Sequence, residues 1–373
     1  MNHQLCNDSP HFEASSETFI KDQIAQLQPG DLIYHGNYPV MSREGDWQLP
    51  FPLNIHPVRG VCKRLAPALF HKVYTDSLAK FLERRNIRIL LANYGPVGVS
   101  VADACKKAGV KLVVHFHGFD AYDYKTIDKF GKAYRHLFRY ADKLVAVSTE
   151  MKAQLVELGA DRDKIAFVSC GVNLERFTST DPSANPPVLI NVGRFTPKKG
   201  PDLLIKAFKI VHDAIPEARL EMVGGGELFK DALALAAELG LTELITFAGV
   251  QHPEEIIKRL HHSRIYVQHS LRPPSGDSEG TPVSVLEASA CALPVVSTRH
   301  AGIKDAVAEQ VSGLLVDEGD YRGMAGAIIT LLKDPALCKK MGKAARERMS
   351  DNYSFTDQAA KLALLLGLES KNI

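Results

Sequence analysis

The sequence predicts an α/β chain built from two doubly wound, mostly parallel sheets. Three observations predict it. The chain has 373 residues, enough for two cores at roughly 150 residues each. Short apolar runs alternate with longer amphipathic stretches, the rhythm of repeated βαβ units. A stretch rich in Pro, Ser and Asp, residues 178–187 (TSTDPSANPP), lies near the midpoint and reads as a linker. One domain is therefore expected over residues 1–180, a second over 181–350, and a closing segment over 351–373. Such sheets bind ligands at the carboxyl ends of their strands, so a cleft between the domains is expected as well.

The elements follow in chain order. Residues 1–14 offer at most a short strand over 3–6. Strands are then predicted at 31–34, 87–92, 111–116, 143–147 and 164–168 in the first half. In the second half they are predicted at 188–192, 219–223, 245–248, 265–268, 294–297 and 313–316. Helices fall between them, among others at 201–214, 228–239, 253–261 and 282–292. Residues 357–368 read as a last helix, more apolar than a free tail would be, and expected to cross back onto the first domain.

Composition excludes several classes. With 45 Lys+Arg against 43 Asp+Glu the formal charge is +2, which gives no global basic field and argues against nucleic acid as a partner. No run approaches the roughly 18 apolar residues of a spanning helix. The opening residues lack the basic and apolar regions of a signal peptide. The six cysteines form no CxxC pair and read as reduced thiols, so a cytoplasmic protein is expected.

One segment breaks the charge balance. Residues 59–88 carry Arg59, Lys63, Arg64, Lys72, Lys80, Arg84, Arg85 and Arg88 against only Asp76 and Glu83. Val61, Leu65, Leu69 and Val73 recur every fourth residue among them. Such a helix rests on an anionic membrane or a lipid-linked substrate or, as a solvated helix, with its apolar stripe on its own core. The first outcome would make the protein peripheral at the inner membrane face.

Two segments carry chemistry. The run from Asn191 to Gly200 (NVGRFTPKKG) ends a strand at Gly193 and leads through a cationic loop into a helix. Arg194 and Lys199 would project there as a planar fork and a point charge, suited to a diphosphate; two surface cations are the plain alternative. The run from Pro274 to Ala288 (PSGDSEGTPVSVLEA) is a small-residue loop entering a helix at Pro282. Free N–H groups of Thr281, Val283 and Ser284 would form an anion pocket at that N-terminus. Glu279 precedes the helix and Glu287 lies inside it, spaced to accept from sugar hydroxyl groups. The alternatives are a dipole-favoured first-turn charge for Glu279 and a solvated face for Glu287.

Together these segments resemble the retaining glycosyltransferases of family 4. The family's Glu-x7-Glu signature is matched by Glu279 and Glu287, and its diphosphate loop by Gly193, Arg194, Lys199 and Gly200. Further matches are the runs 222–227 (MVGGGE), 247–250 (FAGV), 301–305 (AGIKD) and 313–316 (GLLV). In the first half, 115–120 (HFHGFD) is similar to the family's HGxD, and 16–20 (SETFI) to the start of exopolysaccharide-type members.

The resemblance implies the GT-B fold, with two Rossmann-like domains facing each other across a cleft. It implies a hexosyltransferase that moves a sugar from a nucleotide diphosphate donor to a sugar or lipid-linked acceptor in polysaccharide biosynthesis, with retention and without metal or other cofactor. Arg194 and Lys199 would neutralise the diphosphate, Glu287 would hold the ribose and Glu279 the donor sugar. Backbone around Gly280, Thr281, Pro282 and Val283 would hold the distal phosphate, and Val250 would line the base. His117 would orient substrate near the acceptor, with Asp120 as its support or as a helix cap. A catalytically silent nucleotide-sugar-binding subunit and a GT-B nucleotide-sugar epimerase are the alternatives.

Three further features are set aside. The glycines 224–226 lack dinucleotide spacing, 161–163 (DRD) reads as a solvated turn rather than a metal motif, and His261 and His262 have no partner ligands in sequence. Family members usually open with an apolar strand, which residues 1–14 do not provide.

Overall fold

The computed structural model describes residues 2–9, 18–34, 41–42, 53 and 55–368. The first sheet contains β1 (Asn2–Ser9), β2 (Pro29–Tyr34), β3 (Met41–Ser42), β4 (Ile89–Asn93), β5 (Lys111–Phe116), β6 (Lys143–Ala146) and β7 (Ile165–Phe167). Their order is β3-β2-β1-β4-β5-β6-β7, parallel except for the antiparallel β3 at the edge. The second sheet contains β8 (Val188–Val192), β9 (Arg219–Val223), β10 (Ile245–Gly249), β11 (Ile265–Gln268), β12 (Val295–Thr298) and β13 (Gly313–Val316). It is parallel throughout, in the order β10-β9-β8-β11-β12-β13. In each sheet the chain steps one way from its first strand and then returns to the other side. The switch points lie between β1 and β4 and between β8 and β11, and their carboxyl ends are where ligands bind in such sheets.

The central strand β1 corrects the expectation of a short or missing opening strand. It spans eight residues and pairs with β2 on one side and β4 on the other. Its sequence, NHQLCNDS, has only Leu5 and Cys6 as an apolar pair, which is why no strand pattern is visible. Of the polar residues that break the pattern, Asn7 is bonded inside. Asn7 Nδ2 donates to Gln23 Oε1 at 3.2 Å, and Asn93 Nδ2 donates to Asn7 Oδ1 at 3.1 Å. The SETFI resemblance falls partly outside the described residues, which include Thr18–Ile20 of that run but neither Ser16 nor Glu17.

The chain divides into two compact units, one of residues up to Ser169 together with those from Gln358 onward, the other of Cys170–Asp357. The division thus falls earlier than the expected boundary at residue 180. The stretch 178–187 belongs to the second unit, where Thr180 N donates to Cys291 O at 3.0 Å and Asp181 pairs with Lys339 at 2.6 Å. The last helix, Phe355–Leu366, contributes Leu362, Ala363 and Leu366 to a core cluster with Leu5, Leu27, Leu91, Val113, Val145 and Val168. Where the chain re-enters, residues of the second unit form a parallel bridge between Val172 and Ser354.

The basic segment folds as two helices, His56–Leu65 and Pro67–Arg84, broken at Pro67. Its apolar stripe is split. Val61, Leu65 and Leu69 are 54%, 78% and 62% exposed, whereas Tyr74, Leu78, Phe81 and Leu82 are buried. Lys63, Arg64 and Lys72 are exposed beside the outer group, while Arg85 turns inward and donates to both carboxylate oxygens of Asp31 at 2.9–3.2 Å.

Truncating Leu366, which is 1% exposed, removes apolar contact shared by β1, β4 and β5. Leu366→Ala is expected to cost about 2–5 kcal/mol, read as a lower urea midpoint for the full chain.

Candidate active site

In the second unit the site begins where β8 ends. Gly193 N donates to Val223 O at 2.9 Å and Phe195 N to Gly225 O at 2.9 Å, so the loop after β8 is tied to the loop after β9. This approach demands glycine at position 224. Its φ is +135°, and a Cβ there would sit 2.0 Å from Gly193 O. The glycine run is therefore a packing device. Residues Pro197–Lys199 then form one tight turn before the helix Pro201–Ala214. Gly200 joins the two at φ +48°, where a Cβ would meet His269 O at 2.4 Å.

That turn presents adjacent lysines to the loop before the helix Val283–Ala290. Lys199 Nζ lies 2.9 Å from Glu279 Oε1, and Lys198 Nζ lies 2.9 Å from Asp277 Oδ2 and donates to Ser278 O at 3.4 Å. Arg194 is exposed nearby. Burial lowers the Lys199 pKa, opposed by Glu279 and reinforced by the charges of Lys198 and Arg194. Burial alone would raise the Glu279 carboxyl, but Lys199 and Lys198 overcome it and pull the pKa down to about 2. Glu279 is ionised at any ordinary pH.

A buried polar chain backs this pair. Tyr266 Oη lies 2.8 Å from both Gln268 Oε1 and Ser284 Oγ, and 3.2 Å from Val192 O. Gln268 Nε2 donates to Ser270 Oγ at 2.7 Å, and Ser270 Oγ lies 3.5 Å from Glu279 Oε1. The carboxyl ends of β8 and β11 are thereby joined to the helix Val283–Ala290. That helix starts at Val283, one residue later than expected, with Pro282 as its cap. Val283 and Ser284 occupy its first turn, where N–H groups have no intrahelical acceptor. Thr281 is buried, and Gly280 O accepts from Gly302 N at 3.1 Å. Glu287 is half-buried, and its charge, with that of Glu279, raises the Tyr266 pKa after burial has done so. Val250 is 78% exposed and lies over Gly225, where a Cβ would meet its Cγ2 at 3.3 Å.

In the first unit, His117 follows β5 and its Nε2 lies 3.0 Å from Asn93 Oδ1 at the end of β4. Asn93 is held by Asn7, and Gln23 Nε2 reaches His115 Nδ1 at 3.1 Å, so one neutral network runs across β1, β4 and β5. Burial, and then His115, lowers the His117 pKa well below its usual value. The ring is neutral. Asp120 is a cap as well as a support: its Oδ2 accepts from Gly95 N at 3.0 Å, and Oδ1 from His117 N at 3.1 Å and Gly118 N at 2.8 Å. Burial raises its pKa to about 6 against those N–H groups. Tyr94, beside His117 with ring centroids 4.9 Å apart, takes φ +74° at the start of the helix Gly95–Ala108, a strained backbone of the kind found at functional positions.

The pattern of the family Glycosyl transferases group 1 matches residues 174–348, and that of Glycosyltransferase Family 4 matches residues 33–176. WcaL of Escherichia coli (strain K12), named as a colanic acid biosynthesis glycosyltransferase, is 30% identical over 284 residues, covering 74% of this chain and 70% of that protein. The chain is a family 4 glycosyltransferase. AmsK of Erwinia amylovora, named for amylovoran biosynthesis, is 29% identical over 71% of this transferase and 66% of its own length. Among solved structures, Anabaena HepE in complex with UDP superposes with a TM-score of 0.74 at 17% identity, covering 97% of this chain and 99% of that one. It establishes the GT-B fold.

Sequence reasoning reached Arg194, Lys199, Glu279, Glu287 and His117 but missed what holds them. Lys198 and Asp277 stood inside the quoted motifs, and their charges in small-residue loops were the available signal. Asn93, His300 and Glu318 carry no local pattern, because their partners are distant in sequence.

The depressed Glu279 pKa fixes a sign. Its stabilisation is complete above the ordinary value of 4.5 and is lost as pH falls toward about 2. Glu279→Gln in the transferase is expected to lower stability near neutral pH by about 3–5 kcal/mol, because Lys199 remains buried. Thermal melts across that acid range should also show a flatter pH dependence in the variant than in the wild type.

Proposed function

We propose that this glycosyltransferase moves a hexose from a nucleoside diphosphate donor to a sugar or lipid-linked acceptor in polysaccharide biosynthesis, with retention and without metal. The observation that carries the reading is the cationic turn Lys198–Lys199 with Arg194, set at the β8–β11 switch point against Glu279. Cations there offset the donor diphosphate and the charge that grows as it leaves. In a front-face displacement the C1–O bond to phosphate breaks, with its electron pair going to the diphosphate. The acceptor oxygen bonds to C1 on the same face, and its proton passes to the leaving phosphate oxygen. Glu279 would accept from donor-sugar hydroxyl groups and Glu287 from the ribose. Neutral His117 would orient rather than ionise. The relatives named for polysaccharide assembly support this substrate class.

A thermal-shift screen of UDP, GDP, ADP and TDP with EDTA present tests the donor site. One diphosphate should stabilise the protein, and Arg194→Ala should weaken that binding by about tenfold or more. Glu279→Ala should cut turnover by about a hundredfold with nucleotide affinity largely kept. Unchanged turnover in both variants would remove the site assignment.

We also propose peripheral contact with an anionic lipid surface through the helices His56–Leu65 and Pro67–Arg84. The observation in favour is the exposure of Val61, Leu65 and Leu69 beside Lys63, Arg64 and Lys72, which combines apolar area with charge attraction. No described helix is long and apolar enough to cross a membrane. Wild type should sediment with vesicles containing phosphatidylglycerol and not with phosphatidylcholine alone. Leu65→Gln with Leu69→Gln should lose that binding; equal binding by the variant would refute the contact.

A further inference from the structure

His300 follows β12 and Glu318 follows the neighbouring strand β13, and neither belongs to the machinery assigned above. Their hydrogen bonds leave one arrangement of protons. Glu279 N lies 3.2 Å from His300 Nε2. A backbone amide only donates, so Nε2 must carry a lone pair and the ring proton must sit on Nδ1. Nδ1 in turn lies 2.6 Å from Glu318 Oε1, a carboxylate that accepts that proton's bond. Ser278 Oγ, at 3.1 Å, shares the same Nε2.

Glu318 is itself anchored. Its Oε2 accepts from Arg272 N at 2.8 Å, and the next residue, Gly319, donates its N–H to His269 Nε2 at 3.0 Å. His300 is 2% exposed and Ser278 fully buried, so the contact at Glu279 N is shielded from water. The peptide entering Glu279 is thus fixed from one side by His300, while its carboxylate is drawn to Lys199 on the other.

We propose that Glu318 and His300 form a positioning dyad that aims Glu279. The carboxylate fixes the imidazole tautomer, the imidazole fixes the Glu279 amide, and the amide sets where the side-chain carboxylate points. The kinetic consequence rests on the proposed role of Glu279; the tautomer does not.

Imidazole nitrogen NMR of the full 15N-labelled chain reads the tautomer without substrate, with the His300 signal assigned by its loss in His300→Gln. The expected pattern is a protonated Nδ1 and a bare Nε2, with the Nδ1 resonance shifted in Glu318→Gln. A protonated Nε2 would overturn the dyad. Kinetics use nucleotide release from UDP-glucose and GDP-mannose as probes. His300→Ala should lower kcat by about tenfold while the affinity for UDP or GDP changes less than about twofold. His300→Gln, whose side-chain oxygen can still accept from the Glu279 amide, should recover part of the loss. An unchanged kcat in His300→Ala, or equal loss in both variants, would also overturn the dyad. Should His300→Ala fail to fold, Glu318→Ala, at a partly exposed side chain, carries the same comparison, with Glu318→Gln as the variant that can still accept from Nδ1. A wild type that turns over neither probe would count against the proposed function, and the NMR result would still decide the dyad.

Discussion

A lysine and a carboxylate withdrawn from water cost several kcal/mol each unless both are paired and well bonded. The Lys199–Glu279 pair is that case, and much of the second unit is arranged around it. Lys199 can reach Glu279 because Gly200 turns the chain beneath it, at a position where any side chain would strike the backbone of His269. Glu279 can wait there because Lys198, Ser270 and His300 occupy its neighbouring groups. The closeness of the loops after β8 and β9, which needs Gly224, holds the cationic turn in register. An ionic site at the end of a parallel sheet is thus a problem of satisfying charges, solved by backbone that permits close approach.

The two units meet that problem differently. The second buries full charges and pairs them. The first gathers neutral groups, Asn7, Gln23, Asn93, His115 and His117, bonded to one another in a chain. Asp120, a buried carboxylate at this end, is surrounded by backbone N–H groups rather than by a cation. Fields of opposite strength at two strand ends suit ligands of different polarity.

Strands with continuous apolar runs were legible, because a strand buried on both faces must be apolar along its length. All eleven predicted strands are present, shifted by a few residues at most at their ends. Pattern failed at β1, where burial is met by side-chain hydrogen bonds instead of apolar contact, and at the two-residue β3. Arg194, Lys199 and Glu279 were legible as motif residues, since each lies in a short loop between recognisable elements. Their supports were not, because His300 and Glu318 meet Glu279 only when three distant strand ends are side by side. Domain division was misplaced for a similar reason: residues 178–187 look like a tether, yet Asn185 and Asp181 are bonded to the second unit.

The polar character of β1 has a bearing on how the chain is made. It leaves the ribosome well before β4, so Leu5 must wait for Ile89 before that flank is covered, and such distant pairings form slowly. An unpaired strand rich in Val and Ile would invite association with other chains during that delay. Its polar residues keep it hydrated until β4 arrives, when Asn7 exchanges water for Gln23 and Asn93. The composition that hides this strand from pattern reading also protects it during synthesis.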